Sequence, residues 1–342
     1  MAEPLTLEAY LDQWAAGDAA RGDVGKTVLA MCVAAREIAA IVGRGALEGD
    51  MAAAIGGNAG GDTQKALDLR THDITIEALK AAPVARVGSE EADDVAVLDE
   101  AAPLAVAMDP LDGSSNIETN VSIGTLFGVL PHVGEDTFLQ PGSKQLAAGF
   151  VVYGPATALV LTVGAGTQIF MLERGSDRFL RTHADVRIAE TTKEYAINQS
   201  NVRHWDAATK GYIDDCLAGE TGPRSKNFNM RWVGSLVADV FRILIRGGVY
   251  LYPGDRREGY GSGRLRLVYE CNPIAMVAEQ AGGKATDGKT RILDLTPQKL
   301  HARCALVVGS AEEVDRFGGY YGKPASKGGS SPLFAKRGLF LA

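Results

Sequence analysis

Residues 107–116 read AMDPLDGSSN. The residues just before, Leu104 to Met108, are apolar at every position, which predicts a strand buried on both faces. That strand runs into two acids, Asp109 and Asp112. Crowded or buried carboxylates cost several kcal/mol unless paired, and like charges raise each other's pKa. A divalent cation removes that cost, and Mg²⁺ prefers carboxylate oxygens and water. Pro110-Leu111 fixes a turn that lets both side chains and one main-chain carbonyl converge. Gly113, Ser114 and Ser115 follow, with small side chains and free N–H groups suited to a phosphate oxygen. The stretch therefore predicts a two-part cradle, metal on one side and phosphate on the other. Hydrolysis of a phosphate monoester uses that arrangement, with water activated and the leaving oxygen stabilised by metal.

More acids lie on either side. Asp62 and Asp68 sit in GDTQKALD, Glu90 and Glu91 in VGSEEADD, and Glu270 in LVYECNP. Each alone has an ordinary structural reading. DPLDGS makes an Asx-turn, Asp62 caps a helix, and the Glu pair is a solvated loop. Within one helix, a six-residue offset would set Asp62 and Asp68 about 120° apart. They share a site only if Asp62 lies outside the helix. The joint occurrence of all these acids favours the metal.

The rest of the chain limits the alternatives. Its 342 residues suffice for two lobes around substantial cores. Lys plus Arg is 35 and Asp plus Glu is 42, giving a net charge of −7. That balance argues against a nucleic-acid partner and leaves a phosphorylated substrate open. Cys32, Cys216, Cys271 and Cys304 form no CxxC pair and read as reduced thiols. The start, MAEPLTLEAYLDQW, has no signal-peptide pattern, and no window reaches the apolar length of a membrane span. A soluble cytoplasmic protein is expected.

The apolar spacing predicts a helix over 6–16, stopped by Gly17, and a second from Thr27 to about Val42. IGGNAGG, residues 55–61, reads as a mobile loop, followed by a helix over 63–81. Strands are expected at 105–108, 126–130, 150–153, 159–163 and 168–172, the last two as a hairpin around Gly164–Gly166. Adjacent strands without βαβ alternation favour mixed, largely antiparallel sheets. Beyond, 236–245 reads as helix, 249–252 as strand, 265–280 as helix restarted at Pro273, and 305–308 as strand. The pattern changes near residue 190. This predicts an N-terminal lobe over 1–190, a C-terminal lobe over 191–321 and a loose tail over 322–342.

At this point the motifs carry a resemblance. GDTQKALD, SEE, MDPLDGSSNIETNVSIGTLFGV, AAGFVVYGPAT, RWVGSLVADV and LRLVYECNP, in that order, resemble class I fructose-1,6-bisphosphatase of the lithium-sensitive phosphatase group, from about residue 5 to residue 318. The resemblance implies a layered α/β/α/β/α fold, a homotetramer, and Mg²⁺-dependent removal of the 1-phosphate of fructose 1,6-bisphosphate, with Mn²⁺ as a substitute, in gluconeogenesis or a carbon-fixation cycle. It implies metal ligation by Glu90, Asp109, the Leu111 carbonyl, Asp112 and Glu270, and by Asp62 for a further metal. Asp68 with Glu91 would take the proton of the attacking water. Asp112, Gly113, Ser114 and Ser115 would hold the 1-phosphate side, and Asn198, Tyr252 and Arg264 the sugar and its 6-phosphate. Arg231 would reach into a neighbouring subunit's site.

Several positions depart from the family. Trp232 stands where a tyrosine hydroxyl is usual, Arg264 where a lysine is usual, and Asn201 replaces a tyrosine of some members. These changes put the family's usual shape of the distal pocket in question, and activity on sedoheptulose 1,7-bisphosphate as well is the expectation drawn from them. Pro103-Leu104 replaces the Lys-Tyr pair of the animal AMP site, so weak or absent AMP inhibition is expected. HVGEDTFLQPGSK, residues 132–144, has no cysteine, which argues against thioredoxin control through a regulatory insertion. Two rivals stand beside this reading: another phosphatase of the group, such as an inositol monophosphatase, and a catalytically dead sugar-phosphate sensor. The complete acid set counts against the sensor.

Overall fold

Thr6 accepts the N–H of Ala9 at 3.2 Å and so caps helix α1 (Leu7–Ala15), which ends on a left-handed Ala16. The computed structural model describes residues 4–57 and 63–321. Helix α2 (Ala19–Arg44) starts well before the expected Thr27, because Asp18 caps it by accepting the N–H of Arg21 at 2.9 Å. Thr27 is interior to that helix, and its hydroxyl donates to the Asp23 carbonyl. The expected loop and helix after residue 55 also need correction. Strand β1 (Ala54–Gly57) pairs antiparallel with β2 (Thr63–Lys65), and only then does α3 (Ala66–Leu79) begin. The rest of that loop, with Asp62, lies outside the described residues.

The five expected strands appear in an eight-stranded sheet. It comprises β3 (Val84–Ser89), β4 (Ala96–Val97), β5 (Leu104–Asp112), β6 (Ile123–Pro131), β7 (Ala147–Tyr153), β8 (Thr157–Thr162), β9 (Thr167–Leu172) and β10 (Phe179–His183), in the order β10-β9-β8-β7-β6-β5-β3-β4. Neighbours are antiparallel except β3 and β5, which are parallel. Every residue of β5 is buried, the apolar run Leu104–Met108 and the two acids beyond it alike. Helices α1, α2 and α3 cover one face.

From Glu194 on, the strands form a second, five-stranded sheet and a separate two-stranded pair. Strand β11 (Glu194–Ile197), helix α4 (Ala207–Leu217), β12 (Asn229–Met230), α5 (Leu236–Arg246) and β13 (Val249–Tyr252) come first. The expected helix over 265–280 is instead strand β14 (Leu265–Arg266), a wide π-turn at Leu267–Cys271, and helix α6 (Asn272–Gln280). Pro273 falls in the first turn of α6, where its missing N–H costs nothing. Strands β15 (Lys284–Thr286), β16 (Arg303–Cys304) and β17 (Leu306–Gly309) and helix α7 (Ala311–Tyr321) complete the described chain. The sheet order is β12-β11-β13-β17-β15, with β14 and β16 as a separate pair.

Helices α5 and α6 pack between the two sheets, and α4 and α7 cover the far face of the second. The layers therefore run α/β/α/β/α. The four cysteines are buried thiols. Among the described residues, no helix is long and apolar enough to cross a membrane. The tail over 322–342 lies outside the described residues.

Candidate active site

Because β3 and β5 are parallel, their C-terminal ends meet at one end of the large sheet, with Ser89 opposite Met108. The N–H of Glu90 donates to the Met108 carbonyl at 3.0 Å, which sets Glu90 beside Asp109. Asp109 pairs with Leu126 and Asp112 with Gly124, so β5 carries one more residue than β6 between the two acids. That bulge puts acids three apart in sequence on one face, where a regular strand would oppose them. The Leu111 N–H donates to Asp109 at 2.9 Å and the Thr125 hydroxyl to the Pro110 carbonyl at 2.9 Å, which pins the bulge. Gly124 has no substitute here, since a Cβ would fall 2.3 Å from the Val151 carbonyl oxygen.

Glu270 arrives from the π-turn, and its carboxylate accepts the Arg266 N–H. Carboxylate oxygens of Glu90, Asp109 and Glu270 lie within 4.8 Å of one another. Asp109 and Glu270 are 3% and 5% exposed, too dry to carry charge unaided. Burial, then the Glu90 charge, drives Asp109 far above the usual carboxylate range, and Glu270 moves the same way for the same causes. One cation balances part of this: the buried Arg266 places Nε 3.3 Å from Glu90. The surplus of crowded oxygens suits a hard divalent cation. Asp112 lies on the same face but turns toward α5, where it accepts the Val237 N–H at 3.1 Å. Burial pushes it up to about 6, against the pull of that helix terminus.

Asp68 occupies the first turn of α3 and accepts the Lys65 N–H at 2.7 Å. It is 1% exposed, and burial pushes its carboxyl up to about 7, with the Glu91 charge adding to the rise. The Lys65 ammonium reaches the Ser114 carbonyl at 3.0 Å, joining this helix start to the small-residue turn. That turn opens on Gly113 at φ +82°, which a side chain would strain, and continues as a short 3₁₀ helix, Ser114–Thr119. The Asn116 side chain donates to the Gly234 carbonyl at 2.9 Å. Asp239 holds the Gly234 loop from beneath, accepting the N–H groups of Val233 at 3.0 Å and Gly234 at 3.1 Å.

Asn198, Tyr252 and Arg264 line one pocket, together with Asn201, Asp255 and Arg257. The Arg264 guanidinium lies 4.9 Å from the Tyr260 ring centre and Arg257 4.6 Å from the same ring. Arg257 is also paired with Asp255. Trp232 stacks on Tyr250 at 5.5 Å and on Tyr252 at 6.2 Å. Arg231 is not brought into this pocket. Its side chain is half exposed, with Nε 3.8 Å from Glu194, beside a separate crevice. Sequence reasoning missed Arg266, Asp239, Arg257 and Tyr260. The basic run DRREGYGSGR after β13 and the acid in the apolar first turn of α5 were the available signals.

Residues 6–184 match the family described as "Fructose-1-6-bisphosphatase, N-terminal domain", and residues 188–322 match "Fructose-1-6-bisphosphatase, C-terminal domain". A class 1 fructose-1,6-bisphosphatase of Azorhizobium caulinodans is 56% identical over 325 residues, covering 93% of this chain and 99% of that protein. One of Methylorubrum extorquens is 54% identical over 338 residues, covering 98% of this chain and 97% of that protein. The crystal structure of Leishmania major fructose-1,6-bisphosphatase in holo form superposes with a TM-score of 0.87 at 32% identity, covering 94% of this chain and 99% of that one.

Proposed function

The chain belongs to the class 1 fructose-1,6-bisphosphatases and hydrolyses fructose 1,6-bisphosphate, and we propose that it removes the 1-phosphate at the acid-lined end of the large sheet. The observation that carries this reading is the convergence of Glu90, Asp109 and Glu270 within 4.8 Å. A Mg²⁺ site formed by these residues with Asp112 and the Leu111 carbonyl, and a further one at Asp62, would neutralise charge on the phosphoryl oxygens and act as a Lewis acid. Mn²⁺ would substitute, since it takes the same oxygen ligands.

The remaining roles fall to the chain's own groups. Asp68 and Glu91 take the proton of the attacking water. A carboxyl pushed up to about 7 is matched to that task near neutral pH. The turn at Gly113–Ser115 orients the 1-phosphate through main-chain N–H groups. Asn198, Tyr252 and Arg264 hold the 6-phosphate end, and their shared pocket supports this. Arg231 serves a neighbouring subunit of a homotetramer, a role that fits its half-exposed position outside the pocket.

Trp232 lies flat on Tyr250 and Tyr252, and its indole supplies no hydroxyl where a tyrosine would. That supports a less selective distal end, one that also accepts sedoheptulose 1,7-bisphosphate. AMP inhibition through the animal-type site is weak or absent. Leu104 is buried at the start of β5, and Thr27 is fully buried with its hydroxyl committed to Asp23. A micromolar AMP effect lost on mutation near Thr27 would overturn this point. The main test is phosphate release in Mg²⁺ from fructose 1,6-bisphosphate, sedoheptulose 1,7-bisphosphate and inositol 1-phosphate, with EDTA as the blank. Metal-dependent turnover of both bisphosphates is expected. Turnover of fructose 1,6-bisphosphate unaffected by EDTA would refute the metal site.

A further inference from the structure

One residue of β2 touches Glu91 twice. The Gln64 side-chain amide donates to the Glu91 main-chain carbonyl at 2.8 Å and to its carboxylate Oε2 at 2.7 Å. The Glu91 backbone is held from its other side as well. Its N–H donates to the Ser89 hydroxyl at 3.3 Å, and that hydroxyl meets His72 Nδ1 at 2.8 Å. The main chain is thus fixed, and Gln64 joins it to the carboxylate.

We propose that Gln64 is a positioning residue of the hydrolysis, holding the Glu91 carboxylate toward Asp68 so that the two acids act on one water. This rests on the reading that Asp68 and Glu91 take the proton of that water. A glutamate has three side-chain torsions, and a half-exposed one samples several rotamers unless it is tied. A donor to an ionised carboxylate makes a charge-assisted bond, the stronger kind. One amide bonded to two acceptors of a single residue closes a ring and selects one rotamer. Being neutral, the amide adds no charge of its own beside Glu91. The next residue continues the pattern: the Lys65 N–H reaches Asp68 at 2.7 Å and its ammonium the Ser114 carbonyl at 3.0 Å. Two successive residues of β2 therefore align Glu91, Asp68 and the phosphate turn against one another.

Gln64→Met keeps the side-chain length and removes the donor. It is to be made alone and together with Glu91→Gln in the full chain, assayed with Mg²⁺ and fructose 1,6-bisphosphate. The single variant should lower kcat about ten- to a hundredfold, the usual cost of a misplaced catalytic group. KM and the Mg²⁺ concentration for half-activation should stay within about twofold, since substrate and cation binding are untouched. In the Glu91→Gln background the same change should cost nothing more, because its effect passes through that carboxylate. An unchanged kcat in Gln64→Met, or an equal loss in both backgrounds, would overturn the assignment. If Glu91→Gln alone kept full kcat, the proton-acceptor reading would fail first, and the role of Gln64 with it.

Discussion

The two ends of the proposed substrate site are built from opposite materials. At the large sheet, short acids on strand ends and helix starts are buried and held by backbone: Asp109 by its bulge, Asp112 by the first turn of α5, Asp68 by the first turn of α3. At the second sheet, long side chains on a glycine-rich loop do the work. Arg257 and Arg264 share the Tyr260 ring, and Asp255 steadies Arg257. The first end has its geometry imposed by the fold before substrate arrives. The second relies on long side chains held by a ring and an ion pair, and its proposed part is to meet a phosphate by charge. Changes at the first end should therefore act on turnover and metal, and changes at the second on affinity and selectivity.

The largest expected effect is at Asp109. Asp109→Asn should cut kcat by on the order of a thousandfold or more, since it removes a central member of the proposed metal-binding acid cluster. In EDTA the same variant should melt higher than the parent, because a crowded buried carboxylate has gone. The pH dependence follows from the same crowding. Asp68 and Asp112 are raised, to about 7 and about 6, so the folded chain binds protons that the unfolded chain releases. Their favourable contribution is complete below the unfolded carboxylate pKa, about 4, and is lost as pH rises through the raised values. Metal-free protein should therefore lose stability between about pH 4 and about pH 7, and Mg²⁺ should restore more of it at the upper end of that range. A melting temperature in EDTA that rises across this window would break the account.

Next in size is Asp68→Asn. A lost general base costs roughly a hundred- to ten-thousandfold in kcat, with KM little changed. A loss expressed as weaker Mg²⁺ activation alone would move Asp68 from proton acceptor to metal ligand.

The same contrast explains what could be read in advance. Strand β5 and its acids were legible because a run buried on both faces cannot end in two carboxylates without a reason. The parallel partner β3 was not. Arg86 interrupts its apolar pattern, and the ion pair with Glu100 that accommodates it is 14 residues away. The start of α2 was misplaced because Gly22 and Gly25 each cost about 1 kcal/mol in a helix interior. The helix forms all the same, capped by Asp18 and packed on α1, where a Cβ on Gly25 would sit in ordinary contact, 3.7 Å from Leu11 Cβ. Helix α7 was missed for the pair Gly318-Gly319, although Val314 and Phe317 anchor it in the core. The π-turn escaped because nothing in LVYEC distinguishes it from an ordinary helical turn. Yet it sets the direction of Glu270. Arg266 acts through Glu90, a group distant in sequence that only the fold brings near it, whereas Asp239 bonds the Gly234 loop five residues before it and was missed as an ordinary helix-start acid.

At the second end, Arg264→Met should raise KM for fructose 1,6-bisphosphate about ten- to a hundredfold, the value of a charge-assisted hydrogen bond, and leave kcat near its parent level. Arg264→Lys should recover most of that loss, since the point charge returns without the planar fork. A fall in kcat as large as the rise in KM would mean that the distal end also helps to align the reacting phosphate, and the division between the two ends would blur.

The smallest effect, and the one that bears most on selectivity, is expected from Trp232→Tyr. The indole stacks on Tyr250 and Tyr252, and those two rings stack on each other with centres 6.2 Å apart. Shrinking the ring gives up part of that contact, worth about 1 kcal/mol, so a small drop in melting temperature is expected. In exchange a phenol hydroxyl is introduced beside a pocket already lined by Tyr252, Asn198 and Arg264. A hydroxyl that meets the 6-phosphate favours the hexulose bisphosphate over the heptulose, because the phosphate of the longer sugar lies one carbon further out. The ratio of kcat/KM for fructose 1,6-bisphosphate to that for sedoheptulose 1,7-bisphosphate should therefore rise by about three- to tenfold, a hydrogen bond's worth. If the ratio stays put while the melting temperature falls, Trp232 is a packing residue of the second sheet, and selectivity belongs to the arginines alone.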